Sequence, residues 1–121
     1  MSVSAKDFLT LAKSNLSEHS GEIEYRNCIS RSYYSLYHAA CKSLEHCPPT
    51  THQGVISYLL SPTERKKETI EPLVLMSVGA VLKQQIIKRH MADYELDKDI
   101  YKSEAESSLL VIEKTIKKLD K

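Results

Sequence analysis

One uninterrupted stretch decides the fold of this chain: residues 22–49 read EIEYRNCISRSYYSLYHAACKSLEHCPP. On a helical projection its apolar side chains fall within an arc from about 140° to 240° of Arg31. These side chains are Ile29, Tyr33, Leu36, Tyr37, Ala40 and Leu44. Two consecutive prolines, Pro48 and Pro49, cannot continue a helix. The stretch therefore predicts a long helix from about Glu22 to His46 with one core-facing stripe.

The opposite face of this helix carries Arg31 and His38, which are seven residues apart and therefore lie on the same side. Tyr34, Ser35 and Cys41 flank them. A fully solvated helix would present lysine and glutamate here, whereas these neighbours are aromatic, small or weakly polar. The pattern predicts that this outer face is covered by another chain or by a ligand.

Helical periodicity continues on both sides of this stretch. A first helix is predicted from an N-cap at Ser4 to a C-terminal cap near Gly21. The other predictions are a short helix over 51–60, a solvated loop or short helical turn over 61–71, a helix over about 72–92, and a last helix from near Asp97 with Tyr101, Ala105, Leu109, Ile112, Ile116 and Leu119 facing inward. The expected architecture is all-α: a single domain over 1–121, built as an up-and-down bundle of four long helices plus a short helix.

Composition limits the classes of function. The formal net charge of +1 gives no sign of nucleic-acid binding through bulk charge, so an RNA site would have to be local, built from a few cations in a cleft. The three cysteines form an odd number, unlike a secreted disulfide framework, and reduced thiols are expected. We see no signal peptide and no apolar run of membrane-spanning length. A cytoplasmic protein without a membrane partner is the expectation.

Two segments resemble a branch of the HEPN family. Residues 26–40 match its Arg-x-x-x-Ser-Arg-x-Tyr-Tyr-x-x-aromatic-His-Ala-Ala helix, and residues 89–94 match an Arg-x-x-Ala-Asp-Tyr segment that precedes the last long helix. The resemblance implies an HEPN-like helical bundle that forms a homodimer. Many members are metal-independent ribonucleases whose signature is an arginine followed, after four to six residues, by a histidine. Six residues separate Arg31 from His38.

The resemblance also implies a biological role. Family members serve as toxins in toxin–antitoxin pairs or as effectors of phage defence, and many work beside a nucleotidyltransferase-type antitoxin. The tyrosine of the best-known regulatory His-x-Tyr arrangement is replaced here by Ala40, so adenylylation of that position is not carried over. The predicted function is that of an endoribonuclease acting on RNA rather than DNA. The alternative is a non-catalytic dimeric module that binds a partner protein or a nucleotide.

The residue types at this motif suit RNA cleavage by the neighbouring 2′-hydroxyl. His38 is predicted to move protons, because the unperturbed pKa of histidine, about 6.5, lies near operating pH. Arg31 is predicted to stabilise the phosphate, because its charged fork donates two hydrogen bonds. Since seven residues span roughly 10 Å of helix, we expect a symmetric partner protomer to supply the second acid or base.

Four further residues are candidates for substrate binding or an auxiliary role. Tyr34 lies nearer the motif face than Tyr33 and Tyr37 and is a candidate either to contact substrate or to be modified. Arg89 and Asp93 are spaced i, i+4 and are predicted to pair, more as a structural ion pair than as a catalytic one. Arg26 could contact RNA, although a solvated side chain is favoured.

No cofactor or metal is predicted. Cys41, His46, Cys47 and His52 are zinc-ligand types, but they lack the paired spacing of zinc sites.

Overall fold

The chain is all-helical in a computed structural model that describes residues 2–120. Within this range there are six helices and no strand: α1 Ala5–Ser14, α2 Glu22–Ser43, α3 His52–Leu60, α4 Pro62–Arg65, α5 Pro72–Tyr94 and α6 Lys102–Leu119. The predicted all-α class is confirmed, and so is proline at the first turn of the helix that begins at Pro72. None of the described helices is long and apolar enough to cross a membrane.

Helix α2 is the centre of the bundle, because α1, α5 and α6 all pack against it. Its predicted stripe forms the main core, with Tyr33, Leu36 and Ala40 buried against side chains of α3, α5 and α6. The side chains that meet them are Val55, Ile56, Leu59, Leu75, Val78, Leu82, Ile112 and Ile116. A second cluster joins Cys28 and Ile29 of α2 to Ala12, Ala92, Ile100 and Ala105. Helix α2 is therefore held from more than one side along its length.

The first helix is shorter than predicted. Helix α1 ends at Ser14, and the expected C-terminal cap, Gly21, is instead the N-cap of α2. The serine-rich segment between them closes on itself, with Ser20 donating to the carbonyl of Asn15 at 2.6 Å. Serine side chains compete with helical hydrogen bonds in this way, which explains why the helix stops before the glycine.

The last helix begins later than predicted. Tyr101 is its N-cap residue and is 62% exposed, so the expectation that it faces inward is wrong. Glu104 accepts a hydrogen bond from the Tyr101 backbone N–H at 2.8 Å, which satisfies a donor at the helix start. The inward positions that follow, Ala105, Ile112 and Ile116, are buried as predicted.

The charged run 64–68 is only partly solvated. Its first part forms the short helix α4, one of the two predicted alternatives. Glu68, however, is buried, and its carboxylate accepts hydrogen bonds from the backbone of Glu45 and His46 and from the Tyr58 hydroxyl. This carboxylate therefore anchors the chain that follows α2, which corrects the expectation of a solvated segment at this position.

Arg26 is also buried, so the favoured expectation of a solvated side chain is wrong. Its Nη1 donates to the carbonyls of Met91, Ala92 and Glu95 at 3.0–3.2 Å, and its Nη2 donates to the carbonyl of Lys98. Carbonyls at a helix C-terminus lack intrahelical partners and attract positive charge. Arg26 therefore caps α5 and fixes that helix against α2.

Candidate functional site

Tyr34 of α2 contacts two of the three candidate arginines, Arg31 and Arg89. The Cζ atoms of Arg31 and Arg89 are 4.9 and 5.2 Å from the centroid of the Tyr34 ring. Arg89 also donates from Nη2 to the Tyr34 hydroxyl at 2.9 Å. Both distances from a guanidinium carbon to the ring centroid are within the range of cation–π attraction. One aromatic ring thus contacts two permanently charged guanidinium groups, one from α2 and one from α5.

A series of polar contacts through Ser30 and Asp93 also links the same two arginines. Arg31 Nη2 donates to Ser30 Oγ at 3.1 Å, and Ser30 Oγ donates to Asp93 Oδ2 at 3.1 Å. Asp93 Oδ2 in turn lies 3.1 Å from Arg89 Nε. This confirms the predicted pairing of Arg89 with Asp93. The charges attract at this distance although the Nε–H of Arg89 does not point at an acceptor.

The imidazole of His38 lies on the edge of this group. Its ring stacks on Phe8 of α1 with centroids 5.0 Å apart and on Tyr34 with centroids 6.1 Å apart. His38 is exposed, and with Phe8 and Lys42 it lines an open groove of about 650 Å³ that reaches the start of α1. The predicted motif residues therefore meet around one aromatic ring, and we name Arg31, Tyr34, His38, Arg89 and Asp93 the Tyr34 cluster.

The outer face of α2 is partly covered by the chain itself. Helix α1 packs along it, and Phe8 lies under both Arg31, at 6.0 Å from Cζ to ring centroid, and His38. Ser35, expected on this face, is fully buried, whereas Cys41 is exposed. The sequence pattern predicts cover by another chain or by a ligand, and this is wrong for the part of the face next to Phe8, because α1 of the same chain packs there.

Charge is not balanced within the Tyr34 cluster. Two guanidinium groups face one carboxylate, and Arg31 Nε is buried without a hydrogen-bond partner in the described part of the chain. Like charges that contact one aromatic ring repel each other, and an anion bound between them would relieve that repulsion. A guanidinium with unused donors beside a second one is suited to bind a phosphate in two-pronged geometry. The arrangement can therefore bind an anion next to an exposed imidazole.

Two neighbours of the Tyr34 cluster were not singled out from the sequence. Ser30 is the bridge between Arg31 and Asp93, and its position before the motif arginine was its one signal. His52, considered only as a metal-ligand type, begins α3 and lies with its ring centroid 5.8 Å from that of Tyr34. Nothing in the spacing from 38 to 52 indicates this contact, because it depends on how α3 docks. Arg26, by contrast, is occupied at the end of α5 and does not join the cluster.

Among residues 2–120 there is no group of three or more histidine, cysteine, aspartate or glutamate side chains placed to hold a metal ion. Comparisons with protein-family models, with curated proteins and with solved structures find no match to this chain.

Proposed function

We propose that this chain is a metal-independent endoribonuclease of the HEPN type, with the Tyr34 cluster as its active site. The observation that carries the proposal is the placement of Arg31 and Arg89 within 5.2 Å of the Tyr34 ring centroid, with His38 stacked on that same ring. Phosphate binding and proton transfer are the two capacities that RNA cleavage needs, and both types of group are present here.

The reaction starts from the 2′-hydroxyl of the RNA. Its oxygen attacks the adjacent phosphorus while its proton passes to a base, and the bond from phosphorus to the 5′-oxygen breaks as that oxygen receives a proton. His38 performs one of these proton transfers. Arg31 and Arg89 bind the non-bridging oxygens, where negative charge increases in the transition state. Asp93 and Ser30 hold the two guanidinium groups in position from behind.

Several features support RNA as the ligand. The chain as a whole carries a charge of +1, so the paired arginines form a local positive site on a nearly neutral protein. The exposed imidazole of His38 and the part-buried ring of Tyr34 lie beside this site, and such rings can stack on unpaired bases. The resemblance to HEPN proteins supports the same substrate and adds a biological role, that of a toxin or phage-defence effector with a nucleotidyltransferase-type antitoxin. It also supports a homodimer.

The test is cleavage of single-stranded RNA by the wild type and by His38→Ala and Arg31→Ala. Each variant is expected to lose at least about a hundredfold in rate, because acid–base catalysis by His38 and electrostatic stabilisation of the transition state by Arg31 each contribute about that much. His19→Ala is the matched control, since its imidazole is 88% exposed and lies outside the cluster. Retained cleavage in both site variants contradicts the proposal. RNA binding by the wild type without any cleavage favours the non-catalytic binding module instead.

The biological role has a separate test. Expression of the wild type is expected to arrest growth, whereas His38→Ala is expected to be tolerated at the same protein level. Equal growth of the two strains contradicts the toxin role and leaves the biochemical assay to decide the activity.

A further inference from the structure

A second imidazole adjoins the Tyr34 cluster from within the same chain. The ring of His52 stacks on Tyr37 at 3.8 Å between centroids, with an interplanar angle of 18°. It meets Tyr34 edge to face at 5.8 Å. Its helix, α3, packs against α5, which carries Arg89 and Asp93. His38 and His52 therefore border one group of tyrosine rings.

One ring nitrogen of His52 is fixed by a buried hydroxyl. The Tyr33 hydroxyl lies 2.7 Å from His52 Nδ1 and has no other hydrogen-bond partner in residues 2–120. Tyr33 is fully buried, so its O–H would remain unpaired unless Nδ1 accepted its proton. This places the imidazole proton on Nε2. Burial raises the pKa of Tyr33, which keeps the phenol protonated and able to donate.

The imidazole is also held in its neutral form. Burial lowers the pKa of His52, and the positive charges of Arg89 and His38 lower it further. A second proton would have to occupy Nδ1, where it would displace the proton that Tyr33 donates. Geometry and charge thus favour the same state, a neutral ring that carries its proton on Nε2.

The other nitrogen of His52 is available. Nε2 has no hydrogen-bond partner among the described residues. It is also absent from the buried polar atoms that lack a partner, so it is not fully enclosed by the protein. An oriented N–H without a partner, on a ring that contacts Tyr34 and lies within the influence of the Arg89 charge, is suited to an anionic ligand. A neutral donor adds directionality there without adding a third positive charge.

We propose that His52 is a phosphate-contacting residue of this site, donating from Nε2 to the phosphate that Arg31 and Arg89 bind, while Tyr33 fixes its tautomer. This inference rests on the proposed function for its substrate, and it deepens it by naming a residue outside the Arg31–His38 motif. It adds a second imidazole in the same protomer as a hydrogen-bond donor, and the second acid or base is still expected from a partner protomer.

Two substitutions separate the nitrogens of His52. His52→Asn keeps an acceptor for Tyr33 near the Nδ1 position and removes the Nε2 donor. His52→Gln places an amide donor near the Nε2 position and removes the acceptor. We expect His52→Asn to weaken binding of a 2′-deoxydinucleotide, which cannot be cleaved, by about ten- to a hundredfold while the Tm stays near that of the wild type. We expect His52→Gln to retain more binding and to unfold at a lower temperature.

Nitrogen-15 NMR of the wild type provides the second measurement. The resonances of His52 are expected to show the Nε2–H tautomer at neutral pH, and addition of the dinucleotide is expected to shift Nε2. In Tyr33→Phe the two tautomers are expected to mix. A predominant Nδ1–H tautomer, or a His52 that does not respond to the bound dinucleotide, overturns the inference whether or not the variants fold.

The outcomes distinguish this inference from the proposed function. If the wild type cleaves RNA and His52→Asn cleaves and binds as well as the wild type, the inference fails and the proposed function stands. If RNA is not cleaved but the dinucleotide shifts Nε2 and its binding depends on His52, the nuclease proposal fails and the phosphate contact stands. Loss of cleavage together with the binding defect supports both.

Discussion

Arg26 and Arg31 lie five residues apart on the same helix, yet their guanidinium groups meet opposite surroundings. The side chain of Arg26 is 6% exposed and donates to four backbone carbonyls at and beyond the end of α5, with Glu22 as its carboxylate partner. Arg31 donates once, to Ser30, and rests on the rings of Phe8 and Tyr34. The N–H donors of Arg26 are all used within the chain, and we call its environment closed. Arg31 retains N–H donors that no described residue accepts, and we call its environment open.

This difference indicates where the chain can bind something. A buried guanidinium whose donors are all satisfied by backbone carbonyls and a carboxylate of the same protein contributes to stability and has no free donor for a ligand. A charge packed on aromatic faces, with unused donors and a second cation nearby, gains most when an anion arrives. The two environments therefore predict opposite consequences for the same substitution.

The largest expected effect is on Arg26. Arg26→Met should lower the free energy of unfolding by about 3–5 kcal/mol, because the carbonyls at the end of α5 lose their partner in a buried place. Arg31→Met, the matched substitution in the open environment, should change it by less than about 1 kcal/mol. Urea titrations of both variants measure the difference. Similar losses in the two variants would show that the environments do not differ as described.

Much of the fold follows from periodicity, and the exceptions have local causes. The apolar spacing of α2 and of α6 predicts residues that are buried, such as Leu36 and Ile112. The early end of α1 depends on serine hydroxyls that bind the backbone, which periodicity does not register. The burial of Arg26 and Glu68 depends on carbonyls and N–H groups of segments distant in the chain. The sequence around Arg26 or Glu68 does not indicate these distant backbone partners.

The candidate site shows the same division. Arg31 and His38 share a helical face by spacing alone, and Arg89 and Asp93 pair by spacing alone. That these two pairs meet around Tyr34 depends on how α5 crosses α2, and the contact with His52 depends on how α3 docks. Side-chain identity and helical geometry predict which residues share a face. The packing of helices decides which faces meet.

Glu68 extends the comparison to a carboxylate in a closed environment. Burial alone would raise its pKa, but hydrogen bonds from the Glu45 and His46 backbone and from Tyr58 lower the pKa below its ordinary value of 4.5. A depressed folded pKa means that the stabilisation is fully present above that ordinary value and is lost as the pH falls below it. We expect Glu68→Gln to cost about 2 kcal/mol at pH 7.

The same variant should lose less stability than the wild type as the pH falls from 5 to 3, so the two unfolding curves should converge. Thermal unfolding measured across that range tests the expectation. A constant difference between the curves would indicate that Glu68 titrates alike in the folded and unfolded chains, and the carboxylate would not belong with the closed environments.

The smallest expected effect concerns the hydroxyl of Tyr34. Tyr34→Phe keeps the ring on which Arg31, Arg89 and His38 lie, and it removes the acceptor of the Arg89 hydrogen bond. The free energy of unfolding should fall by no more than about 1 kcal/mol, and RNA cleavage should slow roughly fivefold as Arg89 loses one restraint. Tyr34→Ala removes the ring as well and should slow cleavage much further. If Tyr34→Phe is as inactive as His38→Ala, the hydroxyl takes part in the chemistry. The open environment would then hold a second proton-transfer group beside His38, and Tyr34 would do more than contact the two arginines.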